Sequence, residues 1–399
     1  MKILVINCGS SSVKFKVFEM PEEELVAEGN VEKIGEEIAL FSYTKGQQQL
    51  FYRKSVDVKT HTAALSLIAS TLGDKEIGVI NDVKEIKGVG HRVVHGGEGF
   101  DRSVLITDEV IKKIEEYQTL APLHNPHNLS GIRASMKFFP DSLQVAAFDT
   151  AFHTTIPPVA YLYAIPYEFY EKYRIRRYGF HGTSHRYVAR RAAELLGKGK
   201  YDVNVITCHL GNGCSITAVR NGHSVDTSMG LTPLEGLVMG TRSGDIDPGV
   251  IFHLIDSLGL SAKEVNDLLN KKSGLLGLSG ISNDFRNLLS KMEEDRVLLA
   301  IDIYSYRIKK YIGMYMAVLG RVDAIVFTGG AGENVPHIRE RALSGLENFG
   351  IILDSERNYK AFAKEEKISA ENSKVKVFVI PTNEELRIAF DTYQLVSQK

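Results

Sequence analysis

Ile3-Leu4-Val5-Ile6-Asn7-Cys8-Gly9-Ser10-Ser11-Ser12-Val13-Lys14 enters as an apolar run, turns through small polar residues, and leaves with Val13, Phe15 and Val17 alternating with polar neighbours. That pattern reads as two strands, 3–6 and 13–18, joined by a tight turn. About 200 residues later the chain repeats it. Val203-Asn204-Val205-Ile206-Thr207-Cys208 leads into His209-Leu210-Gly211-Asn212-Gly213-Cys214, then Ser215-Ile216-Thr217-Ala218-Val219. Asn7 and His209 hold like places, as do Gly9 and Gly211, although the register slips by a residue in the second strand. A recurrence at half the chain length points to two related lobes, each opening with a β-hairpin.

Farther along, Ala324-Ile325-Val326-Phe327-Thr328 is a short apolar strand running into Gly329-Gly330-Ala331-Gly332-Glu333-Asn334. Pro336 then suits a first helical turn. Between Asp284 and Leu319, the apolar residues Leu288, Leu289, Met292, Leu298, Leu299, Ile303 and Ile308 recur at helical spacing and predict one or two buried helices. Strands alternating with helices make this an α/β protein. A boundary falls near Asp149-Thr150, before Pro157-Pro158. The last helix, from about Glu384 to Val396, can return to either lobe. Assigning it to the first gives lobes of 1–149 with about 383–399, and 150–382.

Composition narrows the function. The chain has 399 residues with 48 Lys+Arg against 49 Asp+Glu, and 48 − 49 leaves a formal charge of −1. That balance removes the electrostatic reason to expect nucleic acid or an anionic membrane as a partner. No apolar run reaches the ~18 residues that span a bilayer, and the opening run is too short for a secretory leader. Cys8, Cys208 and Cys214 form neither a disulfide framework nor a CxxC zinc pair. A reducing cytosol is the expected location.

Chemistry-bearing residues cluster at glycines. A Gly/Ser turn between strands presents several N–H groups and hydroxyls to one point, which suits phosphate oxygens, although a lone turn of this kind is equally a plain connection. Ser10 and Ser12 lie in that turn and Lys14 just beyond it, where an ammonium can reach a phosphate or simply be solvated. The chain lacks GxxxxGK[ST], and Gly329–Gly332 does not match GxGxxG, which disfavours a P-loop and a Rossmann dinucleotide site. Arg92, in Gly90-His91-Arg92-Val93-Val94-His95-Gly96-Gly97, and Arg242, in Gly240-Thr241-Arg242-Ser243-Gly244, read as guanidiniums beside glycines, available to pair with a carboxylate or phosphate or to make surface ion pairs. His124 and His127 flank Pro126 in a turn, and His181 and His185 straddle an N-cap; no pair has the HExxH spacing of a zinc helix. Asp245 and Asp247 admit a metal reading, but Pro248-Gly249 favours a turn. Asp149 ends an apolar strand, a place for either a catalytic carboxylate or a cap.

With these segments in hand, the chain is similar to the acetokinase family. Residues 3–14 resemble its first signature and Val205–Ala218 its second. Further matches at Gly90–Gly97, Pro122–Asn128, Phe148–His153, Tyr178–His185, Gly240–Gly249, Asp284–Arg286, Gly329–Pro336 and Pro381–Glu385 spread the resemblance over nearly the whole chain. It implies the duplicated actin-like, ribonuclease H-like fold shared with sugar kinases and chaperone ATPases, with ATP in the cleft between lobes. It also implies a homodimer that transfers the ATP γ-phosphoryl group reversibly to acetate. By position, Asn7 and Glu385 resemble the magnesium-site residues, with manganese as a substitute metal. Ser10, Ser12, Lys14, His209, Leu210, Gly211, Asn212, Gly213, Asp284, Phe285, Arg286, Gly332, Glu333, Asn334, Val335 and Pro336 resemble the ATP site. Arg92 resembles the acetate-binding arginine, with Val94, Leu123, Phe180 and Pro233 around the methyl group. Asp149 resembles the essential acid, and His181 and Arg242 the transition-state stabilisers. Propionate or butyrate kinase is the nearest alternative. A nucleotide-switched chaperone or actin-like ATPase is the alternative from another class, but it leaves Arg92 and Arg242 without a ligand.

Overall fold

Consecutive apolar residues in a strand need cover on both faces. In the computed structural model, which describes residues 1–399, Ile3-Leu4-Val5-Ile6 receives it. Leu4 and Ile6 face a cluster containing Leu65, Ile68 and Ala134, from the helices His61–Leu72 and Asn125–Phe138, and Phe139, which follows the second helix. Ile3 and Val5 face Ile388 and Ala389, from the helix Glu384–Val396. The chain divides into two units, Met1–Thr154 with Asn383–Lys399, and Thr155–Thr382.

The first unit holds β1 (Lys2–Cys8), β2 (Ser12–Glu19), β3 (Glu24–Glu32), β4 (Ala39–Lys45), β5 (Gln48–Val56), β6 (Ile86–Val93), β7 (Val104–Leu105) and β8 (Leu143–Phe148), in the order β5-β4-β3-β2-β1-β6-β8-β7. The second holds β9 (Val205–Leu210), β10 (Cys214–Arg220), β11 (His223–Thr227), β12 (Ala324–Thr328), β13 (Glu366–Lys367) and β14 (Lys376–Val379), in the order β11-β10-β9-β12-β14-β13. Within each lies the same five-strand pattern. Strands β3-β2-β1 are antiparallel and β1-β6-β8 parallel, just as β11-β10-β9 are antiparallel and β9-β12-β14 parallel. This is the duplication that the two hairpins announced.

Register explains the one-residue slip. Cys8 pairs with Val13 across a four-residue turn, whereas Leu210 pairs with Cys214 across a three-residue turn. Asn7 therefore lies opposite Lys14, and His209 opposite Ser215.

Of the glycines around His91, Gly88 and Gly90 lie in β6, while Gly96 and Gly97 follow it. A Cβ on Gly90 would sit 2.5 Å from Thr392 Oγ1 and 2.6 Å from Ile388 Cγ2, and one on Gly88 2.8 Å from Val396 Cγ2. Strand β6 lacks side chains there so that the terminal helix can lie against it. The segment after Asp284 is two helices, Phe285–Leu289 and Asp295–Leu319. The buried stripe of the second is Val297, Ile301, Tyr304, Ile308, Tyr311, Ile312 and Tyr315, while Leu299 is exposed. Tyrosines take up much of that stripe, so an apolar pattern restricted to aliphatic residues misplaces it.

Candidate active site

In the first unit, Arg92 projects from β6 and Asp149 follows the end of β8, strands that pair side by side through Val93 and Phe148. Arg92 Nε donates to Asp149 Oδ1 at 3.0 Å and to Oδ2 at 3.2 Å, and NH2 donates to Oδ2 at 2.6 Å. Asp149 is 1 % exposed, so it is a partner for the guanidinium rather than a helix cap. Burial works against the Arg92 charge, but Asp149, with Glu384 and Glu385, more than offsets it and raises its pKa above the ordinary value.

The terminal helix brings two carboxylates to this unit. Asn383 caps it, accepting from Leu386 N at 3.0 Å, and Glu384 and Glu385 occupy its first turn. There the backbone N–H groups favour negative charge. One residue of helix rotation separates their surroundings. Glu385 Oε2 lies 4.0 Å from Lys16 Nζ. Glu384 makes no hydrogen bond or ion pair, and burial pushes its pKa up to about 7 despite the attraction of Arg92. The sequence singled out Glu385 alone. Two adjacent glutamates look alike in sequence, and only the helix start decides which one faces Arg92 and Asp149.

Two asparagines that the sequence reading passed over hold this region together. The stretch around His124 is not a free turn but the start of the helix Asn125–Phe138. Asn128 donates to Cys8 O at 2.8 Å and accepts from Val94 N at 3.1 Å, fastening the first hairpin to the strand that carries Arg92. Asn125 accepts from His95 N at 3.1 Å and donates to His95 O at 3.0 Å. Both are buried, and buried polar groups must be paired, but burial is not visible in the sequence, where neither asparagine stands out. Lys14 is exposed on β2, Ser10 lies at the hairpin tip and Ser12 begins β2. Val94 is buried, whereas Leu123 is 67 % exposed.

In the second unit, His181 stands just before the helix Gly182–Leu195 in the left-handed region, φ 56°. Few residues other than glycine adopt it, and such strain persists only where neighbours enforce it. His181 Nδ1 lies 2.9 Å from Ser215 Oγ, His185 Nε2 lies 2.7 Å from the same oxygen, and His185 Nδ1 lies 2.7 Å from Thr207 Oγ1. A serine hydroxyl has one proton, so it donates to at most one of the two rings. The His209 ring stacks on His181 at 4.3 Å between centroids, and His209 Nδ1 lies 2.8 Å from Ser184 Oγ. Phe180 is 3 % exposed beside this cluster in sequence.

Arg242 is not the exposed loop residue its glycine neighbours suggested. It is half-buried, donates to Pro233 O at 3.3 Å, and has no carboxylate partner. Burial lowers its pKa, with the Cys214 thiol pulling slightly the other way. A Cβ on Gly213 would lie 3.3 Å from Arg242 NH1 and 3.5 Å from His181 Nε2, so both side chains close on the same glycine.

The remaining motif residues surround this hairpin. Gly240 N donates to Asn212 O at 3.0 Å, and Asn283 Nδ2 donates to Asn212 Oδ1 at 2.9 Å. Asp284 caps the helix Phe285–Leu289 and holds Arg286 in a bidentate pair, with the Phe285 ring edge-on to Tyr304. Gly329–Asn334 is a short helix rather than an open turn. Glu333 Oε1 accepts from Gly329 N at 2.8 Å and Thr382 N at 3.1 Å, and Asn334 Nδ2 donates to Gly330 O. Val335 and Pro336 are buried. Beneath them Arg339, 0 % exposed, donates to Gly332 O and Glu333 O.

No group of three or more His, Cys, Asp or Glu side chains converges as a metal cage, and no helix is long and apolar enough to cross a membrane. A family model of the acetokinase family matches residues 2–390. The acetate kinase of Caldanaerobacter subterraneus subsp. tengcongensis is 56 % identical over 400 residues, covering 99 % of each chain. The crystal structure of Porphyromonas gingivalis acetate kinase superposes with a TM-score of 0.95 at 49 % identity, covering 99 % of both chains. A propionate kinase from Francisella tularensis superposes with a TM-score of 0.92 at 44 % identity, again over 99 % of both chains.

Proposed function

The chain belongs to the acetokinase family, and from that premise we propose that Arg92 orients acetate while Arg242 and His181 stabilise the phosphoryl group in flight. The enzyme transfers the ATP γ-phosphoryl group reversibly to acetate, giving acetyl phosphate and ADP. Carboxylic acids titrate near ~4, so acetate arrives ionised with no proton to lose. The obstacle is repulsion between an anionic acceptor and an anionic phosphate, and catalysis consists of positioning and charge neutralisation. Arg242 carries this reading. It is a half-buried guanidinium with no carboxylate to satisfy it, aimed at the same glycine as His181 Nε2.

The chain of hydroxyls and imidazoles has two possible directions, and the one assigned here suits His181 to the role proposed for it: Thr207 would donate to His185 Nδ1, His185 Nε2–H to Ser215, and Ser215 to His181 Nδ1. That order leaves the His181 proton on Nε2, as a donor to equatorial phosphate oxygens. His209 to Gly213, Asp284 to Arg286 and Gly332 to Pro336 are proposed to hold ATP, with Ser10, Ser12 and Lys14 from the first hairpin. Asp149 acts by holding Arg92.

Magnesium fits the donors at hand. It keeps several waters and takes one or two carboxylates plus substrate phosphates rather than a protein cage. The Asn7 carboxamide and the carboxylates of Glu384 and Glu385 would hold it, and Glu384 has an otherwise unsatisfied carboxyl group. When bound it would supply positive charge to offset that of the transferred phosphate. The protein is further proposed to be a cytosolic homodimer; its three cysteines are buried and unpaired, as a reducing compartment allows.

One methylene is worth only ~1–3 kcal/mol of discrimination in an apolar pocket, so propionate should be a poorer substrate rather than a refused one. Steady-state kcat/KM with acetate, propionate and butyrate tests the reading. Acetate should lead propionate by about tenfold, with butyrate lower still. A higher value for propionate or butyrate would replace the acceptor. ATP turnover indifferent to any of the three would overturn acyl phosphorylation.

A further inference from the structure

We propose that Asp245, fixed by Tyr311 and Arg307, is a positioning residue that sets the Arg242 guanidinium for phosphoryl transfer; this rests on the role given above to Arg242. Between the end of β11 at Thr227 and the helix that begins at Pro248, the chain has no regular secondary structure. Irregular segments this long inside a compact unit are held by their own contacts or by dedicated partners. Arg242 sits near the far end of this one, and a displacement of about 1 Å in a catalytic group can cost about a hundredfold in rate.

The two acidic residues of Gly244-Asp245-Ile246-Asp247 have separate tasks. Asp247 caps the helix Pro248–Phe252, accepting from Gly249 N at 2.9 Å. Asp245 instead closes a loop. Its N–H donates to Gly236 O at 2.9 Å, while Gly236 N donates back to Asp245 Oδ1 at 2.7 Å. Residues 236–245 thus form a closed ring that carries Arg242. The neck is tight. Gly244 has φ +67°, and a Cβ there would fall 2.2 Å from Leu237 O.

The ring is fastened from outside by the helix Asp295–Leu319. Tyr311 Oη donates to Asp245 Oδ2 at 2.7 Å. Arg307 NH1 donates to Gly236 O at 3.1 Å and Asp245 O at 3.2 Å, and lies 3.6 Å from Asp245 Oδ2. Arg307 and Tyr311 are four residues apart, so they stand on one helix face. The same helix packs on β9 and β10, which carry His209 and Ser215. The loop bearing Arg242 and the hairpin bearing the histidine partners therefore share one support. At the tip, Met239 N donates to Arg242 O at 3.1 Å, and Thr241 Oγ1 donates to Asn270 O at 2.9 Å.

Tyr311→Phe removes one hydroxyl and leaves the ring. It should lower kcat about tenfold, with KM for acetate and ATP within about twofold, because an interaction that acts only in the transition state appears in kcat. A double-mutant cycle separates positioning from a merely structural role. In the Arg242→Ala background, Tyr311→Phe should change kcat by less than about twofold, since the group it positions is gone. Asp245→Asn, which keeps an oxygen for Gly236 N, should retain more activity than Asp245→Ala. Wild-type kcat in Tyr311→Phe, or the full tenfold loss in the Arg242→Ala background, overturns the positioning role and leaves Arg242 untouched. Near wild-type kcat in Arg242→Ala alone overturns the role of Arg242 first.

Discussion

Arg92 commits its Nε and one terminal nitrogen to Asp149, leaving the other terminal nitrogen to meet a ligand. A bidentate pair with a buried carboxylate fixes the guanidinium plane, which is the useful property when the ligand is itself a planar carboxylate. Arg242 is built the other way, with its charge unneutralised by any acid. The two arginines should therefore fail differently. Arg92→Ala should raise the acetate KM by at least about tenfold, whereas Arg242→Ala should lower kcat by about 10³ with a modest change in KM. Asp149→Asn should weaken both parameters through a loosened Arg92, and the kcat–pH profile should keep its wild-type shape. Loss of one limb of that profile in Asp149→Asn would show instead that the carboxylate moves a proton. Steady-state kinetics across pH, with acetate and ATP varied separately, decides among these outcomes.

Strand β6 and the terminal helix show what was legible in the sequence and what was not. Period-two alternation and the repeated hairpin made the duplicated α/β architecture readable, because a half-buried strand cannot hide its period. Arg92, Asp149, His181 and Arg242 stood out as charged or titratable residues at glycines and strand ends. Their pairings did not, since Arg92 and Asp149 are distant in sequence and Ser215, Asn125 and Asn128 are ordinary polar residues until a register brings them in. The glycines of β6 have a task hidden in the sequence for a related reason: Gly88 and Gly90 admit Ile388, Thr392 and Val396 of the terminal helix. Gly90→Ala should therefore overpack this contact and destabilise the protein by about 1–3 kcal/mol. It should also push the start of the helix, with Glu384 and Glu385, off position. The expected result is a lower Tm together with a raised magnesium requirement. A lower Tm with an unchanged magnesium titration would confine the effect to packing.

Stability of the whole molecule should carry an acid limb set by two buried imidazoles in the first unit. Burial pulls His91 down to about 4, although its hydrogen bond to Gln144 Oε1 at 2.8 Å pulls the other way, and burial pulls His95 down to about 3. Both stay neutral in the folded state at pH values where the unfolded chain binds protons near ~6.5. Their stabilisation is therefore complete above about pH 6.5 and is lost as pH falls to about 4 for His91 and to about 3 for His95, with ceilings of about 3 and about 5 kcal/mol. That is a large share of the ~5–15 kcal/mol that holds a typical domain together. Glu384 opposes this in the metal-free protein. Its carboxyl is raised to about 7, so the folded state binds the extra proton and stability from this group is lost as pH rises from about 4.5 to 7. Two histidines outweigh one carboxyl in the lower half of the range, so Tm should fall between pH 6.5 and 4.5. Calorimetry with a chelator present should show this fall, and His91→Gln, which keeps an amide donor for Gln144, should flatten it. Equal slopes for wild type and His91→Gln would mean that this imidazole is protonated in the folded state, and the buried neutral pair with Gln144 would have to be abandoned.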